Sequence, residues 1–157
     1  MQQGCVNEKL FIFVITKMNI DLDNILKEHG LRRTAFRKEL LQLFYDSRSS
    51  LSTEEIKKKA GATNDKVTIY RALDSFEKSG LIHRVPDKSN LTRYALCNSK
   101  DCSSNNHTHN HAHFICNDCN ETFCLDDIEV PVINKTKGFK ISDSNLTLQG
   151  SCPDCNS

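Results

Sequence analysis

The chain has 157 residues, of which 38% are hydrophobic and 26% are charged, as is usual for one or two small globular domains. The net charge of +1 excludes a strong overall electrostatic field that would indicate a partner. Residues 18–96 nevertheless carry fifteen Lys/Arg against eleven Asp/Glu, whereas residues 97–157 carry four against eight. The basic first half is therefore the part expected to bind a polyanion, and the acidic second half is expected to have a different role.

Residues 1–17 are expected to be a disordered leader or a mis-called start, with the natural start at Met18; an extra strand is the alternative. The apolar run LFIFVIT is far shorter than the ~20 residues that span a bilayer, and it lacks the features of a signal peptide. We therefore expect a cytoplasmic protein with no membrane partner. In a reducing compartment, the clustered cysteines among the eight in the chain are expected to bind metal.

Four segments of the first half have apolar residues at helical spacing. They are LDNILKEHG (22–30), TAFRKELLQLFYDS (34–47), LSTEEIKKKAG (51–61) and DKVTIYRALDSFEKS (65–79). Thr34 is a predicted N-cap, and Ser52 with Glu55 has the pattern of a capping box. Asn64 or Asp65 begins the fourth helix. Its buried side is predicted to comprise Val67, Ala72, Leu73 and Phe76.

The segment LIHRVPDKSNLTRYALC alternates on both sides of a turn, which predicts a hairpin. Short helices followed by a hairpin are the order of a winged helix-turn-helix, whose last helix enters the DNA major groove. We therefore expect residues 18–96 to bind DNA. Lysine suits phosphate, arginine a guanine edge, and Thr or Tyr a thymine methyl. The candidate contacts are Lys66, Thr68, Tyr70, Arg71 and Arg37; the alternative is a solvated basic face.

Two C-x-x-C segments occur in the acidic half, CNDC and CPDC. Their four thiolates would close a tetrahedral zinc shell, which leaves no position for a substrate and is therefore structural. The ligands would be Cys116, Cys119, Cys152 and Cys155; four unrelated free thiols are the alternative. Between the two segments we expect a short helix or turn near 126–129 and two strands, FKIS and NLTLQG.

Four histidines alternate in HTHNHAHF, which is the period of a strand and places His107, His109, His111 and His113 on one face. They span about 20 Å, so one His-x-His pair is expected to bind a metal with ligands from elsewhere. The candidate additional ligands are His83, Cys97 and Cys124. Imidazole with thiolate favours zinc over iron. The alternative is a loosely chelating, His-rich loop without a defined site.

LRRTAFRKELLQLF, LSTEEI, DKVTIYRALDSFEKSGLIHRV, HAHFICNDC and CPDC, in this order, resemble the ferric-uptake-regulator superfamily of metal-dependent repressors. The resemblance covers residues 22–155. It implies an α+β protein with an N-terminal winged helix-turn-helix domain and a small C-terminal α/β dimerisation domain, residues 97–157, that contains the Cys₄ zinc site. It also implies a homodimer that binds AT-rich inverted repeats of double-stranded DNA when it is metal-loaded.

Within the superfamily, LIHRV and RYALC look most like the zinc-uptake regulators. This resemblance implies an exchangeable regulatory site made by His83, Cys97, His111 and His113, with His109 and Cys124 as alternates. It also makes Tyr70 and Arg71 residues of the recognition helix. Iron and peroxide sensors have carboxylates where this chain has Ala95 and Cys124. A third metal site of the superfamily is expected to be absent, because its positions are occupied by Asn110, Ala112 and Ser144.

We therefore expect a zinc-sensing transcriptional repressor with one structural zinc and a second, exchangeable metal, either zinc or iron. An iron or peroxide sensor of the same superfamily is the alternative. Two other classes remain open, a zinc-dependent hydrolase and a metal buffer. We do not expect an enzyme, because no carboxylate is obviously placed as a general base beside the histidines, although Glu121 is near.

Overall fold

A computed structural model describes residues 20–60, 65–89, 91–97, 111–131, 137–141 and 144–157. The leader lies outside these residues, as do Cys102 and the predicted sites His107, His109 and Asn110. The elements, in chain order, are α1 (Leu22–Glu28), α2 (Ala35–Tyr45), β1 (Leu51–Ser52), α3 (Thr53–Lys59), α4 (Lys66–Lys78), β2 (Ile82–Val85), β3 (Arg93–Leu96), β4 (Ala112–Cys116), β5 (Thr122–Leu125) and β6 (Thr147–Gly150).

The predicted helix starts are confirmed by their caps. The Thr34 side chain accepts a hydrogen bond from the backbone N–H of Arg37 at the start of α2. Ser52 and Glu55 form a complete capping box at α3, with N–O distances of 2.7 and 3.2 Å. Asp65 caps α4. Each cap satisfies an N–H group that a helix start would otherwise leave without a partner.

The core of the first half is formed by α1 to α4 with the first sheet. The buried face of α4 comprises Ile69, Ala72, Leu73 and Phe76, which follow the spacing i, i+3, i+4, i+7. The prediction that Val67 is buried is wrong, because its side chain is 56% exposed. Val67 precedes Ile69 by two residues, about 200° around the helix, and therefore lies on the opposite side.

The strands form two small sheets. In the first, the order is β1-β3-β2 and both pairings are antiparallel, which confirms the predicted hairpin. In the second, the order is β5-β4-β6, with β4 and β5 antiparallel and β4 and β6 parallel. We call residues 20–97 the N-terminal unit and residues 111–157 the C-terminal unit. The two sheets and four helices in the described part of the chain confirm the α+β class.

Strand predictions in the C-terminal unit are confirmed in part. NLTLQG forms β6 over Thr147–Gly150, and a turn occupies residues 126–128. The predicted strand FKIS is wrong for residues 139–141, which pair with no strand of the described chain. Phe139 is 77% exposed, so this apolar side chain lies on the surface and does not mark a buried strand. No helix in the described residues is long and apolar enough to cross a membrane.

Candidate metal centres and nucleic-acid face

Two groups of side chains in the described residues could each hold a metal ion. One group comprises Cys116, Cys119, Cys152 and Cys155, and the other comprises His83, His111, His113 and Cys124. Within each group the candidate ligand atoms all lie within 4.8 Å of one another. The sequence motifs therefore resolve into two separate clusters, which we call the Cys₄ cluster and the His₃Cys cluster.

The Cys₄ cluster lies where β4 and β6 end side by side. Cys116 is the last residue of β4, and its register partner in the parallel strand β6 is Gly150. Cys119 lies in the turn after β4, and Cys152 and Cys155 lie in the turn after β6. The parallel pairing thus brings both C-x-x-C segments to one end of the sheet.

The chemistry of these four thiols fits zinc. The Sγ atoms of Cys119 and Cys152 are 3.9 Å apart, and sulfurs bound tetrahedrally at ~2.3 Å from one ion would be about 3.8 Å apart. Burial opposes ionisation of Cys116, but backbone N–H groups of Cys119, Cys152 and Asp118 outweigh it and lower its pKa to about 6. Burial raises the pKa of Cys119 to about 11. Cys116 is therefore a thiolate at neutral pH, whereas Cys119 must release a proton when a cation binds.

The His₃Cys cluster joins the two units. His113 and Cys124 are directly opposite each other in the antiparallel pair β4–β5, and His111 immediately precedes β4. His83 comes from β2 in the N-terminal unit, and its Nε2 atom lies 3.3 Å from Nε2 of His113 and 3.4 Å from Sγ of Cys124. The ring centroids of His111 and His83 are 5.1 Å apart. All three histidines are buried.

Cys97 lies on the other side of the His83 ring. Its Sγ atom is 3.5 Å from Nδ1 of His83, whereas the cluster uses Nε2. The structure thus brings together three of the predicted regulatory residues with the alternate, Cys124, and places the remaining residue, Cys97, behind them. Burial, assisted by the negative charge of Asp126, raises the pKa of the Cys124 thiol to about 12.

A carboxylate that the sequence analysis did not identify lies beside this cluster. Oδ1 of Asp126 is 3.9 Å from Nδ1 of His111. This distance is longer than a hydrogen bond, but a carboxylate that does hydrogen-bond a metal-binding imidazole commonly orients the ring. Its position two residues after Cys124 is a signal in the sequence, but the turn that points it back toward His111 is visible only in three dimensions.

The structure also describes two positions of the superfamily's third metal site. Ala112 is buried and its side chain has no atom that could bind a metal, and Ser144 is exposed.

Helix α4 presents an exposed face with two cations around an aromatic ring. Lys66, Tyr70 and Arg71 are all exposed. The ammonium groups of Lys57 and Lys66 lie 5.4 and 5.8 Å from the centroid of the Tyr70 ring, within the range of cation–π attraction. Lys57, from α3, was not among the predicted contacts. This face combines positive charge with an apolar ring, as expected of a surface that contacts phosphate and base edges.

The two other predicted DNA contacts also have partners within the protein. The Thr68 hydroxyl donates to Asp65 over 2.9 Å, which reinforces the cap of α4. Arg37 donates to the hydroxyl of Ser75 and to the backbone oxygen of Arg32, both over 3.3 Å. Arg37 therefore links α2 to α4 and helps to hold the exposed face of α4 in place.

The sequence profile described as the ferric uptake regulator family matches residues 28–149, which is most of the chain. The chain belongs to the ferric uptake regulator family. As a family member it is a metal-responsive, DNA-binding transcriptional regulator and not an enzyme. The hydrolase alternative is thereby excluded.

Similar proteins and solved structures are consistent with this assignment. The ferric uptake regulation protein of Legionella pneumophila is 32% identical over 138 residues, covering 83% of this chain and 95% of that protein. The corresponding protein of Campylobacter jejuni is 29% identical over 144 residues, covering 84% of each. A solved zinc uptake regulator complexed with zinc and DNA is 23% identical, with a TM-score of 0.58 and coverage of 85% of this chain and 89% of that chain. Other similar structures are of regulators with iron or manganese, so family membership does not select the metal.

Proposed function

We propose that this family member is a cytoplasmic, zinc-responsive repressor that binds AT-rich inverted repeats of double-stranded DNA as a homodimer. The observation that carries the proposal is the donor set of the His₃Cys cluster, which is three imidazoles and one thiol with no carboxylate. Nitrogen and sulfur ligands favour zinc, whereas sites for iron or manganese in this family would be expected to include harder oxygen ligands.

The position of the cluster supports a regulatory role. His83 is on the winged-helix sheet, and His111, His113 and Cys124 are on the C-terminal sheet. These four residues would hold the second metal, whose chemical contribution is to cross-link side chains of the two units. His83 would thereby fix the sheet that packs against α4, and the two recognition helices of a dimer would be held at one half-site spacing.

The Cys₄ cluster would hold the first metal permanently. Four thiolates complete a tetrahedral shell and leave no open position, so this zinc is structural in the proposal. It would keep β4 and β6 together at the end of the sheet where Cys116 meets Gly150. A protein with this site filled and the His₃Cys site empty is therefore the ligand-free state of the sensor.

An iron sensor is the second candidate. Two observations favour it: the relatives in Legionella and Campylobacter are named ferric uptake regulation proteins, and Asp126 places a carboxylate 3.9 Å from Nδ1 of His111. A shift of that turn could add an oxygen ligand, which is the donor that iron prefers over sulfur.

The two candidates are separated by measuring DNA binding against metal identity. Protein with zinc only in the Cys₄ cluster is titrated anaerobically with zinc, iron(II) or manganese(II) in the presence of a labelled AT-rich inverted repeat. We expect zinc to tighten binding to this DNA but not to a scrambled duplex, and a chelator to reverse the effect. Activation by iron(II) and not by zinc would establish the second candidate. Metal uptake without DNA binding would instead indicate a metal buffer.

A further inference from the structure

A buried arginine connects the two units through side chains that belong to neither metal cluster. Arg93, in β3, is 8% exposed. Its Nη1 atom donates to the backbone oxygen of Ser50 over 2.9 Å, and its Nε donates to Asp87 over 3.0 Å. The same guanidinium lies 3.4 Å from a carboxylate oxygen of Glu121 and 3.5 Å from one of Glu55. One cation is thus surrounded by three carboxylates.

The three carboxylates differ in what they connect. Asp87 also accepts hydrogen bonds from the backbone of Ser89 and Leu91, which holds the turn between β2 and β3. Glu55 completes the capping box of α3. Both therefore bind Arg93 to its own N-terminal unit. Glu121 belongs to the C-terminal unit, where it immediately precedes β5.

Further hydrogen bonds between the units surround Glu121. Its carboxylate accepts a hydrogen bond from the hydroxyl of Ser49 over 2.6 Å. The backbone N–H of Ser50 donates to the carbonyl of Thr122 over 2.8 Å. The hydroxyl of Thr122 donates to the carbonyl of Pro86 over 3.0 Å. We call the contacts of Glu121 with Arg93 and Ser49 the Arg93–Glu121 clasp.

The clasp and the His₃Cys cluster hold the same pair of strands at two points. In the β2–β3 pairing His83 is opposite Ala95, and Val85 is opposite Arg93. The two attachment points are therefore two residues apart along the hairpin, roughly 7 Å. A single attachment leaves rotation in every direction, whereas two separated attachments leave only rotation about the axis that joins them. The hydrogen bonds of Ser50 and Pro86 with Thr122 restrict that remaining rotation of the winged helix on the β4–β5 hairpin.

We propose that Glu121 is a positioning residue that converts metal binding at the His₃Cys cluster into one fixed orientation of the DNA-binding unit. It acts through Arg93, whose contact with Glu55 reaches the capped start of α3, the helix that precedes α4. This inference rests on the proposed metal-dependent DNA binding. Without the clasp, the metal still joins the units, but the recognition helices are held less uniformly and the DNA affinity of the metal-loaded form falls.

Glu121→Gln is the direct test, because it keeps the shape and removes the charge. Glu77→Gln is a matched control: Glu77 pairs with Arg84 over 2.9 Å, its side chain is 29% exposed against 31% for Glu121, and both partners lie in the N-terminal unit. Each variant is assayed for zinc at both clusters, for operator affinity with and without the second metal, and for hydrogen exchange of the Ser50 amide.

We expect Glu121→Gln to retain both metals and to lower the metal-induced gain in operator affinity about 3- to 10-fold. The reason is that the variant loses the partly exposed, charge-assisted hydrogen bond between Arg93 and Glu121. The Ser50 amide, which bonds to Thr122 across the junction, should exchange faster. Ser49→Ala should change both measurements in the same direction but by less. If Glu121→Gln does not fold, Ser49→Ala takes its place as the test of the proposal. Because Glu77 lies in α4, Glu77→Gln can alter operator affinity to the same extent with and without the second metal. It should change neither the metal-induced gain in affinity nor the exchange of the Ser50 amide.

The inference is overturned if Ser50 exchange and the gain in affinity are both unchanged in a Glu121→Gln protein that holds both metals. An equal effect of Glu77→Gln would also overturn it. If the unaltered protein itself shows no metal-dependent operator affinity, the proposed function fails, and Ser50 exchange alone then reports whether the clasp orders the junction.

Discussion

The cysteines on either side of His83 are expected to have different roles, and replacing them one at a time distinguishes these roles. Sγ of Cys124 is 3.4 Å from the ring nitrogen that faces the cluster, and Sγ of Cys97 is 3.5 Å from the opposite nitrogen. Cys97 therefore has the geometry of an orienting partner, whose loss typically weakens metal binding 10- to 100-fold, about 1.4–2.8 kcal/mol. Cys124→Ser replaces a ligand by an alcohol that stays protonated, so its loss of affinity should exceed about 100-fold.

Cobalt(II) provides the assay, because a sulfur ligand gives a thiolate-to-cobalt charge-transfer band. The Cys₄ cluster is first filled with zinc, and cobalt is then added to the second cluster of the unaltered protein and of each variant. We expect the band to persist in Cys97→Ser and to vanish in Cys124→Ser, while chelator competition gives the two affinities. A band that vanishes in Cys97→Ser and persists in Cys124→Ser would refute the reasoning, since Cys97 would then be the ligand, as the resemblance to zinc-uptake regulators implies.

Three further outcomes are expected. Cys152→Ser should lose the Cys₄ metal and unfold the C-terminal unit, measured by zinc content and circular dichroism; a folded dimer would contradict the structural role. Arg71→Ala should weaken operator binding by ~1–3 kcal/mol in an anisotropy titration without altering zinc content, and unchanged binding would exclude α4 as the reading helix. Affinity at the His₃Cys cluster should rise with pH, about tenfold per unit from one thiol proton, since burial raises the pKa of Cys124 to about 12 and metal binding must release that proton. Calorimetry in buffers of different ionisation enthalpy should show one proton fewer released by Cys124→Ser, and an equal count would show that this thiol does not ionise.

Features that depend on a few adjacent residues were predictable from the sequence. The caps at Thr34 and Ser52 are local patterns of hydrogen-bonding side chains, and the structure confirms them. The winged-helix order also follows from local periodicity. Apolar character alone does not identify a buried helix position: Val67 is apolar, but about 200° separates it from buried Ile69, and it is exposed. The local pattern around Phe139 is the same for an exposed aromatic residue as for one buried in a strand, and in the structure it is exposed.

Features that depend on orientation or on distant residues were not predictable. The sequence placed both Cys97 and Cys124 near His83, but only the orientation of the imidazole assigns each thiol to a different nitrogen. Arg93 likewise has the appearance of a basic strand residue in a hairpin. Two of its partners, Ser50 and Glu121, are 43 and 28 residues away, and no periodicity connects them.

The β4–β5 hairpin carries ligands of both clusters, and with zinc in both as proposed this arrangement would require the Cys₄ cluster to be filled first. Cys116 and Cys119 lie at its tip, and His113 and Cys124 lie opposite each other on its stem. The sheet has three strands of four or five residues. So small a sheet is not expected to keep its strand register without a cross-link such as a bound metal. With zinc in both clusters as proposed, the sensing site comes into existence only in chains that have already acquired their first ion. Under severe zinc starvation, new chains would then have an unfolded C-terminal unit. Such chains would be degraded by proteases and would not accumulate as folded, inactive repressor.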